Sequence, residues 1–152
     1  MSNTYTQIHI HAIFAVRNRE ALIAPEWRDN LYKYMNTIIT DAGHKTLAIG
    51  GTENHVHIFF GYRPAQPLPS LILRIKRETS EWINKEGFSK YRFQWQEGYG
   101  AFSHSKSHVS SVIKYILNQE SHHKKRSFRE EYLDILRKNE VIFDDCYIFD
   151  DI

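Results

Sequence analysis

Residues 5–16, Tyr-Thr-Gln-Ile-His-Ile-His-Ala-Ile-Phe-Ala-Val, alternate and are rich in β-branched side chains, the two-residue period of a strand. After Pro25 the period changes. Leu31, Tyr34, Met35, Ile38 and Ile39 recur at helical spacing to about Ala42, and Gly43 makes a good stop. Strands are predicted over 45–51 and 55–61, joined by a turn at Thr52-Glu53-Asn54. Pro64, Pro67 and Pro69 then interrupt the chain. The next helix is predicted over about 70–86, with Ser70 as N-cap, Leu71, Ile72, Ile75, Trp82 and Ile83 as apolar positions, and Gly87 as its end. A strand follows through Phe93-Gln94-Trp95 and on into 98–103, where Gly98 and Gly100 suggest a bulge or a close backbone approach. Two more helices are predicted, over about 107–122 and 128–139, the second opened by a capping box of Ser127 and Glu130. The order β-α-β-β-α-β plus two helices predicts an α+β fold: a ferredoxin-like antiparallel sheet with added C-terminal helices.

Composition narrows the class without deciding it. With 152 residues, 41% hydrophobic and 25% charged, the chain suits a single globular domain with its own core. No apolar run approaches the roughly 20 residues of a membrane span, and the first residues lack the basic and apolar regions of a signal peptide, so a cytoplasmic location is expected. The single Cys146 excludes an internal disulfide framework and a cysteine-based zinc site. A net charge of +2 does not by itself announce a nucleic-acid partner. Local clusters say more: Arg74, Lys76 and Arg77, and Lys124 and Lys125 with Arg126, are candidates to grip a phosphate backbone, as is Lys114 on the third helix. Trp95 and Tyr99 are candidates to stack on unpaired bases, whereas Trp82 and Phe102 read more as core.

Chemistry enters with His55-Val56-His57. A strand points residues i and i+2 to one face, so the two imidazoles can converge on one metal ion. His9-Ile10-His11 repeats the spacing on the first strand, and periodicity does not choose between the pairs; if the strands are neighbours, both share a face. On the third predicted helix, His108, Ser111, Tyr115, Gln119 and His122 form a polar stripe opposite an apolar side of Val109, Val112, Ile113, Ile116 and Leu117. Tyr115 and Gln119 therefore reach the same point in space. A phenol, with an ordinary pKa of about 10, is a poor nucleophile at neutral pH and needs a cation to polarise its target. Two imidazoles and an amide oxygen form a neutral ligand set that accepts Mn²⁺ comfortably and Mg²⁺ less so. His104, His108 and the His122-His123 pair have no spacing that defines a site.

The ordered set of motifs resembles the small single-tyrosine HUH transposases of bacterial insertion sequences, including the REP-associated tyrosine transposases. It comprises the opening histidine strand followed by Arg17-Asn18-Arg19, Asn54-His55-Val56-His57, Ile75-Lys76, the run from Phe93-Gln94-Trp95 to Phe102, Tyr115-Ile116-Leu117-Asn118-Gln119-Glu120-Ser121-His122-His123, and Phe128-Arg129-Glu130-Glu131-Tyr132. The resemblance implies that Tyr115 is the nucleophile and that His55, His57 and Gln119 hold a divalent metal, Mg²⁺ or Mn²⁺. It implies cleavage of single-stranded DNA at hairpin ends through a 5′-phosphotyrosine, with rejoining and no nucleotide cofactor. It also implies a homodimer in which two sheets join and the tyrosine helix docks on either subunit. A domesticated enzyme that processes repeated chromosomal hairpins shares this chemistry. A non-catalytic module that binds single strands on a ferredoxin-like sheet is the rival from a different class.

Overall fold

The computed structural model describes residues 3–150. Four antiparallel strands form one sheet in the order β2-β3-β1-β4, with β1 at His9–Ala15, β2 at Lys45–Gly51, β3 at His55–Gly61 and β4 at Gly100–His104. Helices α1 (Pro25–Asp41) and α2 (Leu68–Glu86) connect them, and α3 (Val109–Leu117), α4 (Gln119–His123) and α5 (Phe128–Lys138) follow. This is the ferredoxin-like α+β arrangement that the sequence predicts, with its additional C-terminal helices.

The even-numbered side chains of β1 and β3, among them Phe14, Val56, Ile58 and Phe60, belong to the larger apolar core. Helices α1 and α2 cover that side; the Lys76 ammonium of α2 lies over the Phe14 ring, and Trp95 donates to Thr79 Oγ1. Odd-numbered positions point the other way. The register sets His55 opposite Ala15, His57 opposite Ile13, and Phe59 opposite His11, so the histidine face belongs to the opposite layer. There α3 rests Val112 and Ile116 on Ala48 and Phe59.

Several boundaries differ from the expectation. Helix α2 begins two residues before Ser70, with Pro67 as its N-cap and Pro69 in the first turn. Proline serves well there because the first turn has no intrahelical partner for its missing N–H. Gly87 ends α2 as predicted, in the left-handed region at φ 69°. The first strand starts at His9 rather than residue 5. Phe93-Gln94-Trp95 makes an isolated bridge, Val16 to Trp95, and β4 starts only at Gly100. The glycine there does mark a close approach: a Cβ on Gly100 would lie 2.5 Å from the Tyr132 hydroxyl.

The predicted helix over 107–122 is divided. A 3-10 turn at Lys106–His108 leads into α3, and Asn118 leaves the helical region (φ −102°, ψ 24°) before α4. Helix α5 opens as the capping box requires, with the Ser127 hydroxyl accepting from the Glu130 amide at 3.2 Å. Among the described residues no helix is long and apolar enough to cross a membrane.

Candidate active site

His55 and His57 are fully buried on β3. Strand alternation aims both at the layer that α3, α4 and α5 form, while Val56 anchors the strand in the core behind them. Helix α3 is seated closely because Gly50 of β2, paired with His57, presents bare backbone to it. A Cβ on Gly50 would lie 2.2 Å from the Ile116 carbonyl oxygen. That contact fixes the neighbouring Tyr115, whose ring lies edge-on to His57 with centroids 5.8 Å apart.

Gln119, the first residue of α4, is 1% exposed, and its Oε1 lies 2.9 Å from His55 Nε2. The structure thus brings together Tyr115, His55, His57 and Gln119. It adds two residues that the sequence reading did not assign. His123 Nε2 lies 3.0 Å from Gln119 Oε1 and 3.1 Å from Glu131 Oε1. Glu131 Oε1 lies 3.2 Å from His57 Nε2 and 3.7 Å from His55 Nε2. The other oxygen of that carboxylate accepts hydrogen bonds from the Tyr115 hydroxyl and from Gln119 Nε2. The ligand set is therefore not surrounded by neutral groups alone, because a fully buried carboxylate stands at its centre.

Signals for both residues existed. His123 continues the i+4 series from Tyr115 and Gln119, one position beyond the stripe drawn through His122. Glu131 sits between Phe128 and Tyr132 on the buried face of α5, where a carboxylate is costly unless it is paired.

The imidazoles are held from behind. Asn54 Oδ1 lies 2.8 Å from His55 Nδ1, which also meets Thr52 Oγ1 at 3.1 Å. His11 Nε2 lies 2.7 Å from His57 Nδ1. His9 and His11 do share the face of His55 and His57, and His11 stands behind His57 rather than forming a separate pair of its own. Such partners fix the tautomer and turn each Nε2 toward the centre. Phe128 stacks on His55 with ring centroids 4.1 Å apart.

Burial, then the neighbouring His57, lowers the His55 pKa well below its ordinary value, so this imidazole is neutral. Burial alone would raise Glu131, but hydrogen bonds from His123 and His57 and the nearby His57 charge outweigh it and hold the carboxyl ionised, far below the usual range. Burial and then the Glu131 charge push the Tyr115 phenol well above its ordinary value, keeping it protonated. Imidazole nitrogens, an amide oxygen and a carboxylate oxygen converging in a buried space are a donor set that fits a divalent cation; the donor atoms of His55, His57 and Glu131 all lie within 4.8 Å of one another.

The basic clusters divide. Arg74 is paired with Asp41 and Glu78, each at 2.8 Å, and Lys76 donates to the Gln96 and Gly98 carbonyls. Both lie on α2, behind the sheet, so the structure does not bring them or Arg77 to the histidine centre. Lys114, beside Tyr115, and Lys124 and Lys125, directly after His123, are exposed on the histidine side.

The model of the family described as IS200-like transposases matches residues 4–119. The chain belongs to this family. Membership assigns it to DNA transposition, with DNA as its partner. Among solved structures, a proposed transposase from Deinococcus radiodurans R1 superposes with a TM-score of 0.63 at 20% identity, covering 78% of this chain and 95% of that one. A REP-associated tyrosine transposase bound to a REP hairpin superposes with a TM-score of 0.60 at 13% identity, covering 81% of this chain and 73% of that one. At such identities the likeness is one of fold. No curated protein matches the chain. In this IS200-like transposase the family match stops at Gln119, so His123 and Glu131 lie beyond it.

Proposed function

We propose that this chain is a single-strand DNA endonuclease and strand transferase, one catalytic domain that uses Tyr115 as its nucleophile. The supporting observation is the meeting of the Tyr115 hydroxyl with the cluster of His55, His57 and Gln119 through a single carboxylate, Glu131. His55, His57 and Gln119 would hold the divalent ion, Mg²⁺ or Mn²⁺. When bound, that ion supplies the positive charge that polarises a phosphate and stabilises the charge developing on its oxygens.

The Tyr115 hydroxyl, aligned by Glu131, passes its proton to that carboxylate as its oxygen attacks the phosphorus. The bond from phosphorus to the 3′ oxygen of the preceding nucleotide breaks and the leaving oxygen takes up a proton, leaving a 5′-phosphotyrosine and a free 3′ hydroxyl. Attack by a 3′ hydroxyl on the phosphotyrosine reverses the step and rejoins DNA, so no nucleotide cofactor is consumed.

Two openings flank the centre. One of about 340 Å³, lined by His11, Phe102, His104, Tyr115 and Lys138, has the aromatic walls that suit an unstacked base. The other, of about 370 Å³, is lined by Asn54, His123, Lys124 and Arg126 and suits a phosphate backbone. A strand crossing from one to the other would pass Tyr115.

The test is a covalent adduct. The protein with Mn²⁺ and single-stranded hairpin DNA from the sequences flanking its gene should give a protein–DNA species that survives denaturing electrophoresis. Because a solved neighbour is bound to a REP hairpin, repeated palindromes of that kind are the first substrates to try. His55→Ala and His57→Ala should each reduce adduct formation by at least about a hundredfold while most DNA binding persists. Absence of any adduct across all flanking hairpins would overturn the proposal.

We also propose that the tyrosine acts in cis. Only Ser105 and a 3-10 turn separate β4 from α3, and Tyr115 reaches Glu131 of its own chain. A homodimer joined through β2 or β4, each of which has one sheet neighbour, leaves that centre intact within each subunit. Mixing Tyr115→Phe with His57→Ala protein should therefore restore no cleavage. Recovery of a quarter to a half of wild-type activity would show a tyrosine working in trans.

A further inference from the structure

His123 and Glu131 lie outside the stretch that matches the family, yet their donor atoms point into the same space as those of His55, His57 and Gln119. Four of the contacts among these five atoms are 2.9, 3.0, 3.1 and 3.2 Å. Two donors bonded to one ion at about 2.1 Å and at right angles lie about 3.0 Å apart, the length of these contacts. His55, His57 and Glu131 have all their donor atoms within 4.8 Å of one another; His123 lies beside that group, against Gln119 and Glu131, and would close on the ion from there. The fifth, His55 Nε2 to Glu131 Oε1, is wider at 3.7 Å.

Each arm is positioned independently. His123 Nδ1 lies 3.0 Å from the Arg126 carbonyl, which turns Nε2 inward. Glu131 is carried by α5, whose Phe128 and Tyr132 are packed in the core. A fully buried carboxylate facing three imidazole nitrogens is the arrangement that a cation held among them satisfies.

We propose that His123 and Glu131 complete the centre, making a five-donor site of three imidazoles, one amide and one carboxylate that takes a first-row transition divalent ion in preference to Mg²⁺. This rests on the proposed function and extends it to the identity of the ion. Three imidazoles favour Mn²⁺, Co²⁺ or Zn²⁺, whereas Mg²⁺ prefers oxygen ligands and keeps several waters that a closed site does not admit. One coordination position remains for a phosphate oxygen. The other oxygen of Glu131, hydrogen-bonded to Tyr115, ties the nucleophile to the occupied centre.

The experiment is metal binding by the full chain without DNA, with Mn²⁺ followed by calorimetry and Co²⁺ by its visible absorption. Wild type should bind one Mn²⁺ that a hundredfold excess of Mg²⁺ does not displace. Glu131→Gln and His123→Asn should each weaken Mn²⁺ binding by at least about tenfold and alter the Co²⁺ spectrum, with far-UV circular dichroism verifying the fold; if one variant fails to fold, the other carries the test. If both bind Mn²⁺ as wild type does while His57→Ala loses it, the extension is wrong and the family reading stands. Displacement by Mg²⁺ at comparable concentration overturns the selectivity. If wild type binds no divalent ion, the extension and the metal-dependent function fall together.

Discussion

Tyr115→Phe should abolish the covalent protein–DNA adduct and all strand cleavage, leaving fold and hairpin binding in place. The expected loss is to the limit of detection, because the variant lacks the only oxygen proposed to attack phosphorus, and among the described residues no other hydroxyl bonds to the Glu131 carboxylate. The fold should tolerate the change. Glu131 keeps its contacts with Gln119 Nε2, His57 and His123, and the removed hydroxyl is one hydrogen bond on a partly exposed ring, so stability should move by about 1 kcal/mol. The measurement is paired: denaturing electrophoresis for the adduct and a mobility shift for binding. A non-catalytic single-strand binder predicts that wild type forms no adduct either, so the two proteins would then be indistinguishable in both assays. Cleavage persisting in the variant would assign the nucleophile elsewhere.

Gly50→Ala should be nearly as damaging, although the residue touches no substrate. Its new Cβ would fall 2.2 Å from the Ile116 carbonyl oxygen and 3.0 Å from the Ile116 carbonyl carbon. Both are backbone atoms, so the conflict cannot be relieved by turning a side chain. Either α3 lifts from β2 or β2 shifts at the point where it pairs with His57. Overpacking of this kind costs about 1–3 kcal/mol. The effect on cleavage should exceed what that loss explains: a displacement of about 1 Å at the neighbouring Tyr115 costs roughly a hundredfold in rate. Gly61→Ala is the control, since its nearest neighbour is the Lys45 Cβ at 3.6 Å, an ordinary contact. Urea melts and adduct formation rates on the two variants separate the cases. Equal behaviour of Gly50→Ala and Gly61→Ala would mean that α3 is not held as described.

The basic residues show how local reading and tertiary placement diverge. Arg74, Lys76 and Arg77 look like a phosphate grip because they crowd one helical turn. In the fold two of them are engaged by Asp41, Glu78 and two backbone carbonyls, on the side of the sheet away from Tyr115. Lys124 and Lys125 carry no stronger signal in sequence, yet they follow directly on His123.

By itself the sequence determined the order of elements, hence the ferredoxin-like sheet, because strand and helix periods are local properties set by which face each residue must bury. It also determined that His55 and His57 share a face, and that Tyr115 and Gln119 lie one turn apart, since both follow from backbone geometry. Proline and glycine marked the ends of α1 and α2, though α2 took Pro67 as its N-cap and Pro69 into its first turn where the sequence predicts Ser70 as the cap.

Periodicity left the two histidine pairs equal and the family resemblance favoured His55 and His57; the tertiary structure shows what physically distinguishes them. His9 and His11 occupy the same sheet face, but α3 and α4 descend over β3 and β2, where Gly50 lets the backbone approach, and so His57 faces the cluster while His11 stands behind it. The break at Asn118 and the docking of α5, which bring His123 and Glu131 to residues 68 to 76 positions earlier in the chain, are likewise contacts between distant segments. No local period encodes which face of α5 will meet β3. A buried carboxylate between Phe128 and Tyr132 was the trace that this contact left in the sequence.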